Sequence, residues 1–383
     1  MKRYVWSLGA VAVFFFSLTA VQAAAQAGGL IIPAGTPEDR DLQAISAESD
    51  AAKKLTMYQD FVQKYSSNAA AVAYGNWQIS QAYQTSGDLN KGLEYGDKAL
   101  AAAPQNIDIL VSQASLAQQA KDNAKLMNYS VRGGAACKAI GEEAKPEGMS
   151  DADFQKQAQE EKDAVKNSCT FLESAGFNVI VDENDAKKRM AYIEEYSTAF
   201  PESKFADQVS SYAMYTLGPG QLNDQSRLFS YGEKTLAANP NSLPALLLLA
   251  GSYVDDPKPG SVGKAITYAQ KAIVVAKADD PAADKPRKTS GGVAHSILGY
   301  AYLKQDKTGV AVPELKTAVG LLKGTDEQQY AIALYRLGFA YAKLNKVSEA
   351  REVLTEAVKI NGPVQPMSQD LLAKVNAARA KGK

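Results

Sequence analysis

The 383-residue chain holds a single histidine, His295. Any Ser-His-Asp relay, imidazole general base or His-rich metal cluster would have to use that one residue. It falls on a predicted helix at a core-facing position, which reads as packing or hydrogen bonding rather than catalysis. Gly260-Ser261-Val262-Gly263-Lys264-Ala265 contains the Gly-Lys pair of a phosphate-binding loop. Such a loop needs Gly five residues before that pair's Gly and Ser or Thr after the Lys; Lys258 and Ala265 stand there, so the segment is a turn opening a helix. Asp255-Asp256 and Asp279-Asp280 are acidic pairs in loops, too few oxygens for a calcium site. Cys137 and Cys169 with one histidine do not supply a zinc set. In an oxidising compartment the two cysteines would pair; the alternative is two buried thiols. A helical hairpin about residue 145 would set them at different heights. No catalytic, cofactor or metal residues are assigned, and the chain reads as a non-enzyme.

The elements that would position a site repeat themselves. Ser49-Asp50-Ala51-Ala52-Lys53-Lys54-Leu55 returns as Asn184-Asp185-Ala186-Lys187-Lys188-Arg189-Met190, 135 residues later. Tyr95-Gly96-Asp97-Lys98-Ala99-Leu100 returns as Tyr231-Gly232-Glu233-Lys234-Thr235-Leu236, 136 residues later. Four units of about 34 residues give that spacing, and about 34 is the period of a helix-turn-helix repeat. A stacked array of such units is a surface before it is a catalyst.

Composition narrows the partners. There are 42 basic and 42 acidic residues, so no net field favours nucleic acid. Lys2 and Arg3, an apolar run from Val5 to Ala20, and small residues around Val21-Gln22-Ala23 and Ala25-Gln26-Ala27 have the order of a secretory signal peptide. The expected location is therefore periplasmic or secreted, with membrane association only if that segment is retained. The apolar run around Leu246-Leu247-Leu248-Leu249 suits a buried helix rather than a membrane span.

Along the chain we expect a signal peptide at 1–27, a lead-in at 28–37, and N-terminal helical repeats at 38–140. A loop and degenerate helical segment follows at 141–182, then a second copy at 183–278, a loop at 279–291, repeats at 292–362, and a capping helix and tail at 363–383. Gly133–Ser150 and Ala278–Gly292 carry the Gly, Pro and charge of loops. Phe177-Asn178-Val179-Ile180-Val181 has strand-like β-branched content, but its duplicate, Leu42-Gln43-Ala44-Ile45-Ser46, reads as helix, and helix is the expectation.

The units resemble tetratricopeptide repeats. The last carries the pattern most fully, in Leu334, Leu337, Gly338, Tyr341, Ala350, Leu354 and Ala357. Earlier ones show Leu298, Gly299, Tyr302, Ala311 and Ala318, then Leu246, Leu249, Ala250, Tyr253, Ala265 and Ala272, and Ile79, Ser80, Tyr83, Gly92, Ala99 and Pro104. The resemblance spans about Asp50 to Ile360, weakly between 107 and 200. It implies an all-α, right-handed superhelical solenoid of about seven antiparallel helix pairs, and a protein or peptide partner held in the concave groove. Groove-facing positions carried over from the family are Tyr74, Trp77, Gln81 and Gln84; Asp108, Ser112, Ser115 and Gln118; and Ser296, Tyr300, Tyr335, Arg336 and Phe339. Inter-helix packing is the competing role for the aromatics. Gln and Ser occupy most places where the family's carboxylate clamp has Lys, Arg and Asn, so that specificity is not carried over. The expected function is an interaction scaffold of the envelope or secreted space. The alternatives are an accessory subunit of an envelope assembly held by its convex face or ends, and an enzyme acting on envelope polymers.

Overall fold

The computed structural model describes residues 30–381, and the expected signal segment at 1–27 lies outside them. Among the described residues there are seventeen helices and no strand. The first five are α1 (Pro37–Ala47), α2 (Ala51–Lys64), α3 (Ala69–Ser86), α4 (Leu89–Ala102) and α5 (Ile107–Ala120). Next come α6 (Asn123–Ala139), α7 (Asp151–Asp182), α8 (Ala186–Ala199), α9 (Ala206–Leu217), α10 (Gln225–Ala238), α11 (Leu243–Asp255) and α12 (Ser261–Ala276). The last five are α13 (Lys285–Lys304), α14 (Thr308–Leu322), α15 (Glu327–Lys343), α16 (Val347–Ala357) and α17 (Gln365–Lys381). This is an all-α solenoid of helix pairs. Two compact units form: one takes the chain up to Lys121 with Ala135–Cys169, the other Asp122–Gly134 with Thr170 onward.

Capping residues define where helices begin. Thr36, Asp50, Asn68, Asp88 and Asn106 in the first unit each accept a hydrogen bond from a first-turn backbone N–H. Asp185, Asp224, Asp284 and Asp326 do the same in the second. Each cap satisfies a donor that the helix leaves orphaned, a contribution of about 1 kcal/mol.

Packing then follows the small-large alternation of the repeats. In the second unit, a Cβ added at Gly338 of α15 would lie 2.5 Å from Leu354 Cγ of α16. Glycine there lets the two helices of a pair approach closely enough for Leu354 to be fully buried. Around it Leu303, Ala311, Leu315, Leu337, Tyr341 and Val375 make one core cluster. In the first unit the core gathers Ile45, Tyr58, Phe61, Ala71 and Ile79.

Three sequence expectations change. Gly133–Ala139 is helix, not loop: a Cβ at Gly133 would lie 2.4 Å from Leu172 Cδ1, so the residue is glycine for close packing. The segment expected as loop and degenerate helix at 141–182 contains a 32-residue helix, α7. Within it Val179 and Ile180 are buried, and that packing outweighs their strand propensity, in line with the duplication. The second expected loop is shorter, because α13 starts at Lys285. Asp284 accepts from the Arg287 N–H at 3.0 Å, and Pro286 sits in the first turn, where a missing N–H costs nothing.

Cys137 and Cys169 are joined by a disulfide, with Cα atoms 6.1 Å apart. The expectation of different heights assumed a short turn. Instead the chain leaving α6 retraces the start of α7: a Cβ at Gly141 would lie 2.8 Å from Ala158 Cβ, and Lys145 pairs with Asp151. That return offsets the roughly 27 Å of helix between Asp151 and Cys169 at 1.5 Å per residue.

Candidate partner-binding groove

In the second unit, helix α15 carries Ile332, Tyr335, Arg336 and Phe339 at intervals of three, four and seven residues, which places them on one stripe. That stripe forms one wall of a groove of about 570 Å³. Gln328 at the start of α15, Tyr300 and Leu303 of α13, Asp255 at the end of α11, and Pro363, Val364 and Met367 around the start of α17 complete it. Much of the lining is apolar, and two large side chains in it stay open to solvent: Phe339 is 39% and Met367 48% exposed. Grooves of this size that mix apolar walls with a few placed polar groups are the usual form of a recognition site.

The groove's charged groups are unevenly satisfied. The Arg336 guanidinium carbon lies 4.5 Å from the centre of the Tyr300 ring, a cation–π contact. One of its nitrogens, Nη1, donates to the buried Ser296 Oγ at 2.9 Å. No carboxylate among the described residues forms an ion pair with it. Loss of water around this guanidinium lowers its pKa from the ordinary value, with Tyr300 and Asp255 acting in the opposite sense. At the rim, Asp255 accepts a hydrogen bond from Tyr300 Oη at 3.2 Å and pairs with Lys304 Nζ at 3.1 Å. Tyr300 and Asp255 together hold the Lys304 ammonium above its ordinary pKa. The one carboxylate of the groove is thus already matched by Lys304, whereas Arg336 is not matched.

Of the positions expected to face a groove, Tyr300, Tyr335, Arg336 and Phe339 come together here, with Ser296 buried beneath as an acceptor. The others form a separate set in the first unit. On α3, Tyr74 packs against the Ile45–Phe61 core cluster, and Trp77 is half-buried with its Nε1 enclosed and without a hydrogen-bond partner. Gln81 and Gln84 are half-buried; on α5, Ser112 and Ser115 are half-buried while Asp108 and Gln118 are exposed. His295 lies on α13 with its Nδ1 2.6 Å from Glu314 Oε2 of α14, a hydrogen bond between the helices of one pair. Among the described residues no cluster of His, Cys, Asp and Glu could hold a metal ion, and no helix is long and apolar enough to cross a membrane.

Sequence reasoning missed Ile332, Asp255, Leu303, Gln328, Pro363, Val364 and Met367. Ile332 was within reach, since it stands one turn before Tyr335 and Arg336 on the same stripe. The others sit at element ends, where the repeat pattern is silent.

Comparison with known proteins matches one segment of the chain to a family. Residues 331–362, the segment holding most of α15 and all of α16, match the model of the tetratricopeptide repeat. No curated protein sequence matches the chain. Among solved structures, a thermophilic TPR protein of Thermus thermophilus is 16% identical with a TM-score of 0.38, covering 54% of this chain and 99% of its own. The TPR domain of P58(IPK) is 13% identical with a TM-score of 0.33, covering 91% and 99%. The TPR2AB domain of yeast Sti1, solved in complex with pHSP90, is 14% identical with a TM-score of 0.28, covering 79% and 98%. Residues 331–362 thus match a tetratricopeptide repeat, and the close small-large packing of its two helices, Gly338 against Leu354, recurs in the preceding pair at Gly299 against Leu315.

Proposed function

We propose that this chain is a protein-interaction scaffold, and that the groove between α13, α15 and the start of α17 receives a segment of its partner. The observation that carries this reading is the solvent exposure of Phe339 and Met367 inside a concave, largely apolar wall. Large apolar side chains left open in a concavity gain free energy when a partner covers them, and aromatic groups dominate such contacts. Tyr335 and Tyr300 add contact area with polar tips. An exported setting belongs to the same reading. It is supported by the basic, apolar and small-residue order of residues 1–27 and by the Cys137–Cys169 bond, which suits an oxidising compartment.

The test is site-specific crosslinking in the native cell. A photo-reactive residue at Phe339 should give a discrete adduct with one partner. The same residue at Val274, which is 71% exposed on α12 and outside the groove, should not. Adducts of equal yield at both sites, or at Val274 alone, would remove the groove from the account.

A further inference from the structure

Arg336 fixes the chemistry of the groove's occupant. A guanidinium has five N–H donors in a planar fork. Among the described residues its only acceptor is Ser296 Oγ, and the stacking partner, Tyr300, uses its hydroxyl on Asp255. The remaining donors belong to a side chain that lines the groove. A cation partly withdrawn from water and without an anion is costly, and the arrangement that offsets the cost is a bidentate carboxylate. Asp255 is not that group: it forms no ion pair with Arg336, and its Oδ1 is held by Lys304 and Tyr300 at the rim.

The surroundings say where in the partner that carboxylate sits. Along α15, Ile332 lies one turn before Arg336 and Phe339 about one turn after it, and both line the groove. Apolar surface therefore flanks the guanidinium on both sides. A carboxylate reaching Arg336 is followed as well as preceded by apolar contacts, which suits an internal Asp or Glu side chain better than a chain end.

On the groove reading above, we infer that the partner segment is an apolar stretch interrupted by one acidic side chain, which pairs with Arg336 while its neighbours pack on Phe339 and Ile332. Charge complementarity then sets register: sliding the segment would bury its carboxylate against apolar wall and leave Arg336 unmatched.

The experiment uses the full chain and three synthetic peptides, read by fluorescence anisotropy of an N-terminal dye. The first is Leu-Phe-Asp-Phe-Leu with a blocked C-terminus. The second replaces its Asp by Asn. The third is that Asn peptide with a free C-terminal carboxylate. The Asp peptide should bind at least about tenfold more tightly than the Asn peptide, the scale of a charge-assisted bidentate contact. Arg336→Gln should erase that preference, and Val274→Ala, outside the groove, should keep it. Equal binding of the Asp and Asn peptides, with both weakened by Phe339→Ala, would overturn the acidic requirement while leaving the groove in place. Preference for the free C-terminus would overturn the internal placement. No binding of any peptide, with the helical circular dichroism signal intact, would overturn the groove reading itself. The comparison between peptides needs no variant, so a folding failure of Arg336→Gln leaves the test decisive.

Discussion

The Gln113 side chain fills the space that a β-carbon at Gly96 would occupy: that carbon would lie 1.8 Å from Gln113 Cδ. The amide is fully buried, with Nε2 donating to Ser80 Oγ at 2.8 Å and Oε1 enclosed without a partner. Ser80 in turn donates to the Gly92 carbonyl at 2.6 Å. In the second copy, 136 residues on, the matching contact is Leu249 against Gly232.

The duplication thus supplies a natural replacement. An amide acceptor buried without a hydrogen bond costs about 1–3 kcal/mol, whereas Leu at the same place has no polar atom to satisfy. Gln113→Leu should raise stability by roughly 1 kcal/mol, because Ser80 keeps its own acceptor in Gly92. Gly96→Ala should lower it by about 1–3 kcal/mol through overpacking. Urea unfolding curves followed by circular dichroism check both. A loss of stability in Gln113→Leu would show that the buried amide is a net asset.

The disulfide makes a second prediction. Cys137 and Cys169 are 32 residues apart and bridge the end of α6 to the middle of α7. Closing a loop of that length removes freedom from the unfolded chain, a stabilisation of about 2–4 kcal/mol. The connection at 142–148 is exposed, and the Lys145–Asp151 pair that also ties it lies at the surface. Cys137→Ser with Cys169→Ser should lower the melting temperature and speed proteolysis between α6 and α7. Thermal melts with and without dithiothreitol give the magnitude, and the double variant should show no further response to reductant.

These particulars show what a sequence of this kind makes legible. The helix starts were readable because capping is local: Asp50, Asn68 and Asp185 act within their own first turns. The close pair at Gly338 and Leu354 was readable because the repeat period places the same types again and again. Glycines at 133, 291 and 292 looked like loop signals, since a glycine that admits a neighbour reads the same as one that turns the chain. Of the groove, the α13 and α15 residues followed from helix periodicity. The opposite wall did not: Pro363 and Met367 reach the site through the turn between α16 and α17, and Arg336 meets Ser296 across 40 residues. Such contacts depend on how pairs stack, which no local pattern records.

A third prediction concerns Glu48, just ahead of α2. Its Oε2 lies 2.7 Å from Lys53 Nζ, and its Oε1 accepts from the Asp50 N–H at 2.9 Å. The Lys53 hydrogen bond, then the Asp50 N–H, hold its pKa down from 4.5 to about 2. A carboxyl depressed on folding contributes stability that is fully present above its unfolded value and is lost as pH falls through its folded one. The contribution should therefore fade between pH 4.5 and about 2. Carbon-detected NMR of the Glu48 carboxyl should report a midpoint near 2, and Lys53→Met should move it upward.

The last prediction rests on a carboxylate that serves two phenols. Glu233 of α10 accepts from Tyr253 Oη of α11 at 3.1 Å and from Tyr268 Oη of α12 at 2.6 Å. Tyr253 also stacks flat on Phe229, with ring centres 4.0 Å apart, so the hydroxyls are fixed by packing as well as bonding. Burial and then the Glu233 hydrogen bond raise the Tyr268 pKa from the ordinary phenol value. Because one side chain ties three successive helices, Glu233→Ala should leave both hydroxyls without their acceptor and cost about 1–3 kcal/mol. Glu233→Gln keeps one carbonyl oxygen and offers an N–H to the other hydroxyl, so its cost should be smaller. Chemical denaturation of the two variants checks the order. NMR titration of the Tyr268 ring adds a second readout: in Glu233→Ala its ionisation should shift down, because the anion that opposed it is gone.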